Sequence, residues 1–136
     1  EGALLTFKKG TVVEIEARVG KDFAIKQLSI DGGSRRLGEF ALTDKRFSMI
    51  DRFMADTLFD ENHGGKFGNC HIALGSSYSA TYDGNPARLT KQRKKEMGFN
   101  DSALHWDLVN TEEKTVTAHL LSGKNIVIYE NGIFTH

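Results

Sequence analysis

The sequence predicts an α+β fold: a mixed, mostly antiparallel β-sheet with two or three short helices, in one domain spanning residues 1–136. Three observations carry this. Short runs alternate apolar and polar residues, as where Val13, Ile15 and Ala17 interleave with Glu14, Glu16 and Arg18. Tight-turn dipeptides, Lys9-Gly10 and Asn131-Gly132, sit between β-rich runs. Helical and strand patterns do not take turns along the chain, which argues against repeated βαβ units.

Taken in order, residues 3–8 and 11–19 read as a strand pair joined at Lys9-Gly10. Residues 22–30 place Phe23, Ile25, Leu28 and Ile30 at near-helical spacing and stop at Asp31-Gly32-Gly33, as a helix stops before glycine. Residues 35–42 lead into a strand. Between 49 and 59, apolar residues at 49, 50, 53, 54 and 58 follow a helix face and predict a helix. Three glycines within residues 63–69 make that stretch a loop, in which His63 is expected to face solvent. Residues 70–75 form a short apolar strand, and 76–100 a polar loop with one helix near 90–97. The stretch 103–109 is the next strand. Residues 115–121 give another, and 125–129 pair with 133–135 through Asn131-Gly132.

Composition narrows the function. Eighteen Lys and Arg balance eighteen Asp and Glu, so no global charge points to nucleic acid. The one basic run, Lys91 to Lys95, reads as a solvated helix face. A single cysteine, Cys70, excludes an internal disulfide and fits a reducing cytoplasm. Cys70 reads as a packing residue, because its strand neighbour His71 points to the other face. There is no signal peptide and no apolar run near 18 residues, hence no expected membrane insertion. The opening on Glu1, without an initiator methionine, reads as a piece cut from a longer chain.

The stretch Ala103 to Val109 organises the rest. Strand alternation puts His105 and Asp107 on one face, roughly 6–7 Å apart, with Leu104, Trp106 and Leu108 opposite. An imidazole beside a carboxylate is half of a transition-metal site. The same pair also suits a buried histidine hydrogen-bonded to its neighbour. Further candidate ligands are Glu39, Glu61 and His71, with His63, His119 and His136 as competitors. Two-metal hydrolytic sites need bridging carboxylates and fixing histidines, and such a set has that character.

Four segments then occur in order: Leu37-Gly38-Glu39-Phe40-Ala41-Leu42, Thr57-Leu58-Phe59-Asp60-Glu61-Asn62, Cys70-His71-Ile72-Ala73-Leu74-Gly75 and Leu104-His105-Trp106-Asp107. They resemble the successive signatures of the thermophilic-metalloprotease aminopeptidases, the family of bacterial aminopeptidases T and S. The resemblance spans nearly the whole chain but only the C-terminal third or so of a family member.

What it implies is a metal-dependent exopeptidase that removes N-terminal residues from peptides with a metal-activated water. Glu39, His71, His105 and Asp107 resemble the metal ligands. Tyr78, seven residues past His71, resembles an active-site tyrosine that polarises the substrate carbonyl, and Glu61 resembles an acidic residue lining the same site. The resemblance further implies two divalent ions (zinc, cobalt or manganese), a peptide substrate and a homodimer in the full-length form. The family draws one more glutamate ligand from upstream of Glu1. This piece alone is therefore expected to bind one ion or none and to be inactive. Two differences stand out: the loop 63–69 is longer than the family's, and Trp106 is bulkier than a small aliphatic residue. The reading from another class is a non-catalytic, metal-free fold and dimerisation module. An oxygenase-type iron site built from His105, Asp107 and a later histidine lacks suitable spacing at His119 or His136.

Overall fold

Strand β1 (Leu4–Lys8) pairs antiparallel with β2 (Thr11–Glu16). The turn between them takes positive φ at both Lys9 and Gly10, the twist-matched geometry that a two-residue hairpin favours. A register shift at Thr6/Phe7 sets Phe7 opposite Val12 and Thr6 opposite Glu14, leaving Val13 as the extra residue of a bulge. The predicted dry face at Val13, Ile15 and Ala17 is corrected accordingly: Val12 and Ile15 are buried while Val13 is exposed. Helix α1 (Lys21–Gln27) follows, shorter than predicted, with Ala24 buried on its inner side. Strand β3 is Leu37–Thr43, helix α2 Thr57–Asp60 and strand β4 Asn69–Gly75. A 3₁₀ turn at Pro86–Arg88 and helix α3 (Lys91–Glu96) precede β5 (His105–Asn110). Strands β6 (Thr115–His119), β7 (Asn125–Glu130) and β8 (Ile133–Phe134) close the chain.

These elements come from a computed structural model that describes residues 1–80 and 82–136. Thr81, inside the loop predicted for 76–100, lies outside the described residues. Three sheets form, with orders β1-β2, β3-β4-β5 and β6-β7-β8, and few, short helices accompany them. The predicted α+β class holds. Among the described residues, no helix is long and apolar enough to cross a membrane.

The chain divides into two compact units, Glu1–Phe40 with Ile72–Trp106 and Ala41–His71 with Asp107–His136. In the first, Val12, Ile15, Ala24, Leu28, Leu74 and Leu104 form the apolar core. Beside it, the buried Asn100 amide lies within bonding distance of three carbonyls, those of Gly33 (2.9 Å), Arg36 (3.3 Å) and Gly75 (2.5 Å). The side chain thereby ties the segment at 33–36 to the end of β4.

Asp31 ties the same unit together. Its carboxylate accepts from the amides of Ala103 (2.7 Å) and Gly33 (2.9 Å) and from the hydroxyls of Ser102 and Ser34 (both 2.9 Å). These bonds, the Ala103 amide foremost, hold its pKa down to about 2. A depressed carboxylate contributes stability above its unfolded pKa and loses it as pH falls through the folded one. Stability of the chain, measured by urea unfolding, is therefore expected to fall between about pH 4 and pH 2. In Asp31→Asn this component should be absent. An unchanged pH profile in that variant would show that Asp31 contributes nothing.

In the second unit, Tyr129 is fully buried and its hydroxyl donates to the Thr43 carbonyl at 2.7 Å. Asp44 accepts two bonds from the Arg46 guanidinium (2.9 and 2.6 Å) and one from the Phe134 amide (2.8 Å). Chiefly through Arg46, its carboxyl is held well below the usual carboxylate range. The predicted helix over 49–59 is not there: only Thr57–Asp60 is helical. Ala55 takes a left-handed φ of 56°, and Asp60 accepts from the Met54 amide while Asp56 caps α2 by accepting from Leu58. The physical reason is exposure. Met49 is 92% and Leu58 76% exposed, so the apolar stripe has nothing to pack on, and short helices owe most of their stability to packing.

Candidate metal centre

In the second unit, Glu61, His71 and Asp107 each present a ligand atom, and these atoms all lie within 4.8 Å of one another. Each arrives from a different element. Glu61 is the C-cap residue of α2, His71 is the third residue of β4, and Asp107 is the third of β5. The turn before β4 makes this possible: Gly65 and Gly68 take φ of 49° and 61°, reversing the chain after α2 so that β4 returns past it. Asn69 secures the return, its side-chain amide donating to the Asp60 carbonyl at 2.9 Å.

His71 is 4% exposed, and its Nδ1 lies 3.0 Å from the Glu61 carbonyl. A carbonyl only accepts, so Nδ1 carries the proton and Nε2 is left as the lone-pair donor. That outer bond fixes tautomer and ring orientation as metal-binding histidines require. Two donors on one ion with bonds of 2.0–2.2 Å stand at most about 4.4 Å apart. Three donors sharing one ion stand closer, about 3.4–3.6 Å from one another, so two carboxylates and one imidazole within 4.8 Å fit a divalent transition ion after closure of up to about an ångström.

The first unit holds a second donor group. His105 Nε2 lies 3.8 Å from Glu39 Oε2, also within the span of one ion. The His105 ring is set the same way as that of His71, with Nδ1 donating to the Ser76 carbonyl at 2.9 Å. Tyr78 packs its ring on His105, centroids 4.5 Å apart and tilted by 46°, while remaining 61% exposed. Ser77, next to the carbonyl that orients His105, donates to the Gly38 carbonyl at 2.7 Å and so anchors the backbone beside Glu39.

All six residues singled out in the sequence thus fall into two groups: Glu61, His71 and Asp107 in one, Glu39, His105 and Tyr78 in the other. Residue chemistry placed Glu61 among the candidate ligands while the family resemblance made it a lining residue, and neither gave a hint of the Glu61 and Ser76 carbonyls that orient the histidines, since main-chain acceptors leave no trace in residue type. The competitors stand elsewhere. His119 bonds to Asn125 in the second unit. His63, expected in solvent, instead stacks on Phe53 at 4.6 Å with its Nδ1 buried. Burial pushes the Cys70 thiol up and the neighbouring Lys114 ammonium down, which fits a packing cysteine rather than a nucleophile.

Residues 1–134 match the family described as thermophilic metalloprotease (M29). The chain belongs to that family. It is 35% identical over 135 residues to aminopeptidase 2 of Geobacillus stearothermophilus, covering 97% of this chain and 31% of the relative. To aminopeptidase T of Thermus aquaticus it is 34% identical, with the same coverage of both. The solved structure of wild-type AmpT from Thermus thermophilus superposes with a TM-score of 0.77 at 29% identity, over 100% of this chain and 32% of that one. The chain therefore spans about a third of the length of the family members it matches.

Proposed function

We propose that this chain is the metal-binding domain of a metal-dependent aminopeptidase acting on peptides, with two divalent ions (zinc, cobalt or manganese) as cofactors. The observation that carries the reading is the convergence of Glu61, His71 and Asp107, in a chain of a metalloprotease family whose matched relatives are aminopeptidases. In this proposal those three hold one ion, so that Glu61 serves as a ligand as well as lining the site. Glu39 and His105 are donors to the second. Bound divalent ions supply Lewis acidity and bring the pKa of water near neutrality.

The chain's own residues do the rest. The Glu61 and Ser76 carbonyls keep Nε2 of His71 and His105 free of protons by holding the proton on Nδ1. Tyr78, braced on the His105 ring, donates its hydroxyl proton as a hydrogen bond to the oxygen that gains charge on the scissile carbonyl. Transfer of a proton to the leaving amine requires a carboxylate, a role proposed for Glu61. The full-length form is proposed to be a cytoplasmic homodimer.

The test is hydrolysis of an amino-acid anilide by the full-length protein that carries this chain, with and without zinc or cobalt. Metal-dependent release is expected, with Tyr78→Phe lowering kcat by about 10²–10³-fold. A second reading, the metal-free fold and dimerisation module, draws on the exposed Phe47, Met49, Phe53 and Leu58. No hydrolysis under any metal would favour it.

A further inference from the structure

The basic run is mostly exposed, as a solvated helix face should be, yet one side of it also borders a cavity. Lys91, Lys94 and Lys95 line a cavity of about 520 Å³ within the first unit, joined by Arg36 from the segment leading into β3. Spacing explains the selection: residues three and four apart share a helix face. Arg93, the fourth cation of the run, pairs with Glu96 at 3.4 Å. Among the described residues none of the four lining cations has a carboxylate within ion-pair distance, and only Asp101 brings a negative charge to the wall. This arrangement works against α3 itself. Like charges crowd one face, and the first turn holds a lysine and no acidic residue where the helix dipole prefers a negative charge. The Thr90 cap and the place of Lys94 and Lys95 in the last turn offset part of this, but the crowding of lysines on the side that borders the cavity is the kind of local conflict that a ligand would relieve.

Ser76 and Ser77 line the same cavity. Ser76 offers its carbonyl to His105 Nδ1, and Ser77 anchors Gly38 beside Glu39. The cavity and the Glu39–His105 donor pair therefore share one stretch of backbone. A cavity of this volume is about 8 Å across, the span of two to three extended residues.

We infer that this basic cavity binds the C-terminal carboxylate of short peptides, as the downstream end of the substrate site. The inference rests on the aminopeptidase reading for its direction: the amino end lies at the Glu39–His105 pair, so the carboxylate lies beyond it. Four cations around one small pocket make a carboxylate the group with most to gain, through charge-assisted hydrogen bonds. Selection of short peptides over long chains follows, because only a short substrate brings its terminus this far.

The test uses the 136-residue chain without metal and N-acetyl-Ala-Ala-Ala, which has no free amino end to be cleaved, as free acid and as C-terminal amide. Inorganic phosphate is the third probe. In amide-resolved NMR titration, the free acid is expected to shift Ser76, Ser77, Lys94 and Lys95 saturably and to bind at least tenfold more tightly than the amide. Lys94→Ala with Lys95→Ala should weaken it about tenfold, while Arg93→Ala on the same helix leaves it unchanged. Equal binding of acid and amide, or no shifts, would overturn the inference. So would saturation by phosphate alone, which would mark an inorganic oxyanion site, or equal weakening by all three cation changes, which would mark diffuse charge. Because the probe needs no ion and undergoes no cleavage, failure here leaves the aminopeptidase reading standing. Failure of metal-dependent hydrolysis likewise leaves carboxylate binding measurable.

Discussion

Replacing His71 with alanine is expected to lower the zinc affinity of this chain by at least about a hundredfold. Loss of even an outer hydrogen-bonding partner typically costs 10–100-fold, and His71 supplies the only imidazole of the group it forms with Glu61 and Asp107. Calorimetric titration with zinc and cobalt reads the effect directly. Asp107→Ala should behave alike. Because His71 is buried, its loss also leaves a void, and a poorly folded variant would mimic lost binding. Glu61→Gln separates the two. It keeps shape and the main-chain carbonyl that orients His71, yet removes the donor charge, so it should weaken binding with unfolding unchanged. His119→Ala, at a histidine bonded to Asn125, should leave affinity as it was. Undiminished zinc binding by both His71→Ala and Glu61→Gln would remove the centre from this place.

Gly68→Ala is expected to destabilise the chain by about 2–5 kcal/mol. Left-handed backbone costs a non-glycine residue roughly 1–2 kcal/mol, and Gly68 sits at φ 61°. Overpacking adds about 1–3 kcal/mol, because a Cβ there would run into Tyr129 Oη and come within 2.6 Å of the Thr43 carbonyl. Those two atoms are themselves hydrogen-bonded at 2.7 Å in the buried heart of the unit. Gly98→Ala is the comparison, since φ there is 84° but nothing lies within 4 Å of the added carbon. It should cost only the backbone part. Tyr129→Phe placed on Gly68→Ala should recover part of the loss by removing the hydroxyl oxygen. Urea unfolding measures all three, and equal small losses for Gly68→Ala and Gly98→Ala would refute the steric account.

The two predictions touch the same loop from different ends, and that loop shows where sequence reasoning reaches and where it stops. Three glycines in residues 63–69 announce a turn, but not that Gly68 must pass beneath Tyr129, sixty-one positions later. The helix expected over 49–59 failed for a related reason. Its apolar spacing was sound, yet periodicity says only which face would be buried if something were there to bury it. Val13 failed more locally, since one bulge residue reverses alternation, and a bulge has no signature in residue type. Conversely, the hairpins at Lys9-Gly10 and Asn131-Gly132 were legible because their positive φ angles admit few residue types, which stand there in plain view.

For the candidate site, the chemistry was written in the chain and the grouping was not. Four ordered segments resembled the family's signatures closely enough to name it, because a run of residue types is a property of sequence alone, whereas the histidines and carboxylates by their spacing suggested only metal-binding chemistry. Which donors meet was decided by folding. Glu61 joins His71 and Asp107 only because the turn at 65–68 carries β4 back past α2. The two imidazoles present Nε2 only because the main-chain carbonyls of Glu61 and Ser76 reach their other nitrogens. The basic run of α3 likewise divided by tertiary position, three lysines toward a cavity and one arginine toward a glutamate. Residue identity determines what a side chain can do; the distances at which charges and lone pairs act are set by the packed backbone, and those distances decide which of them act together.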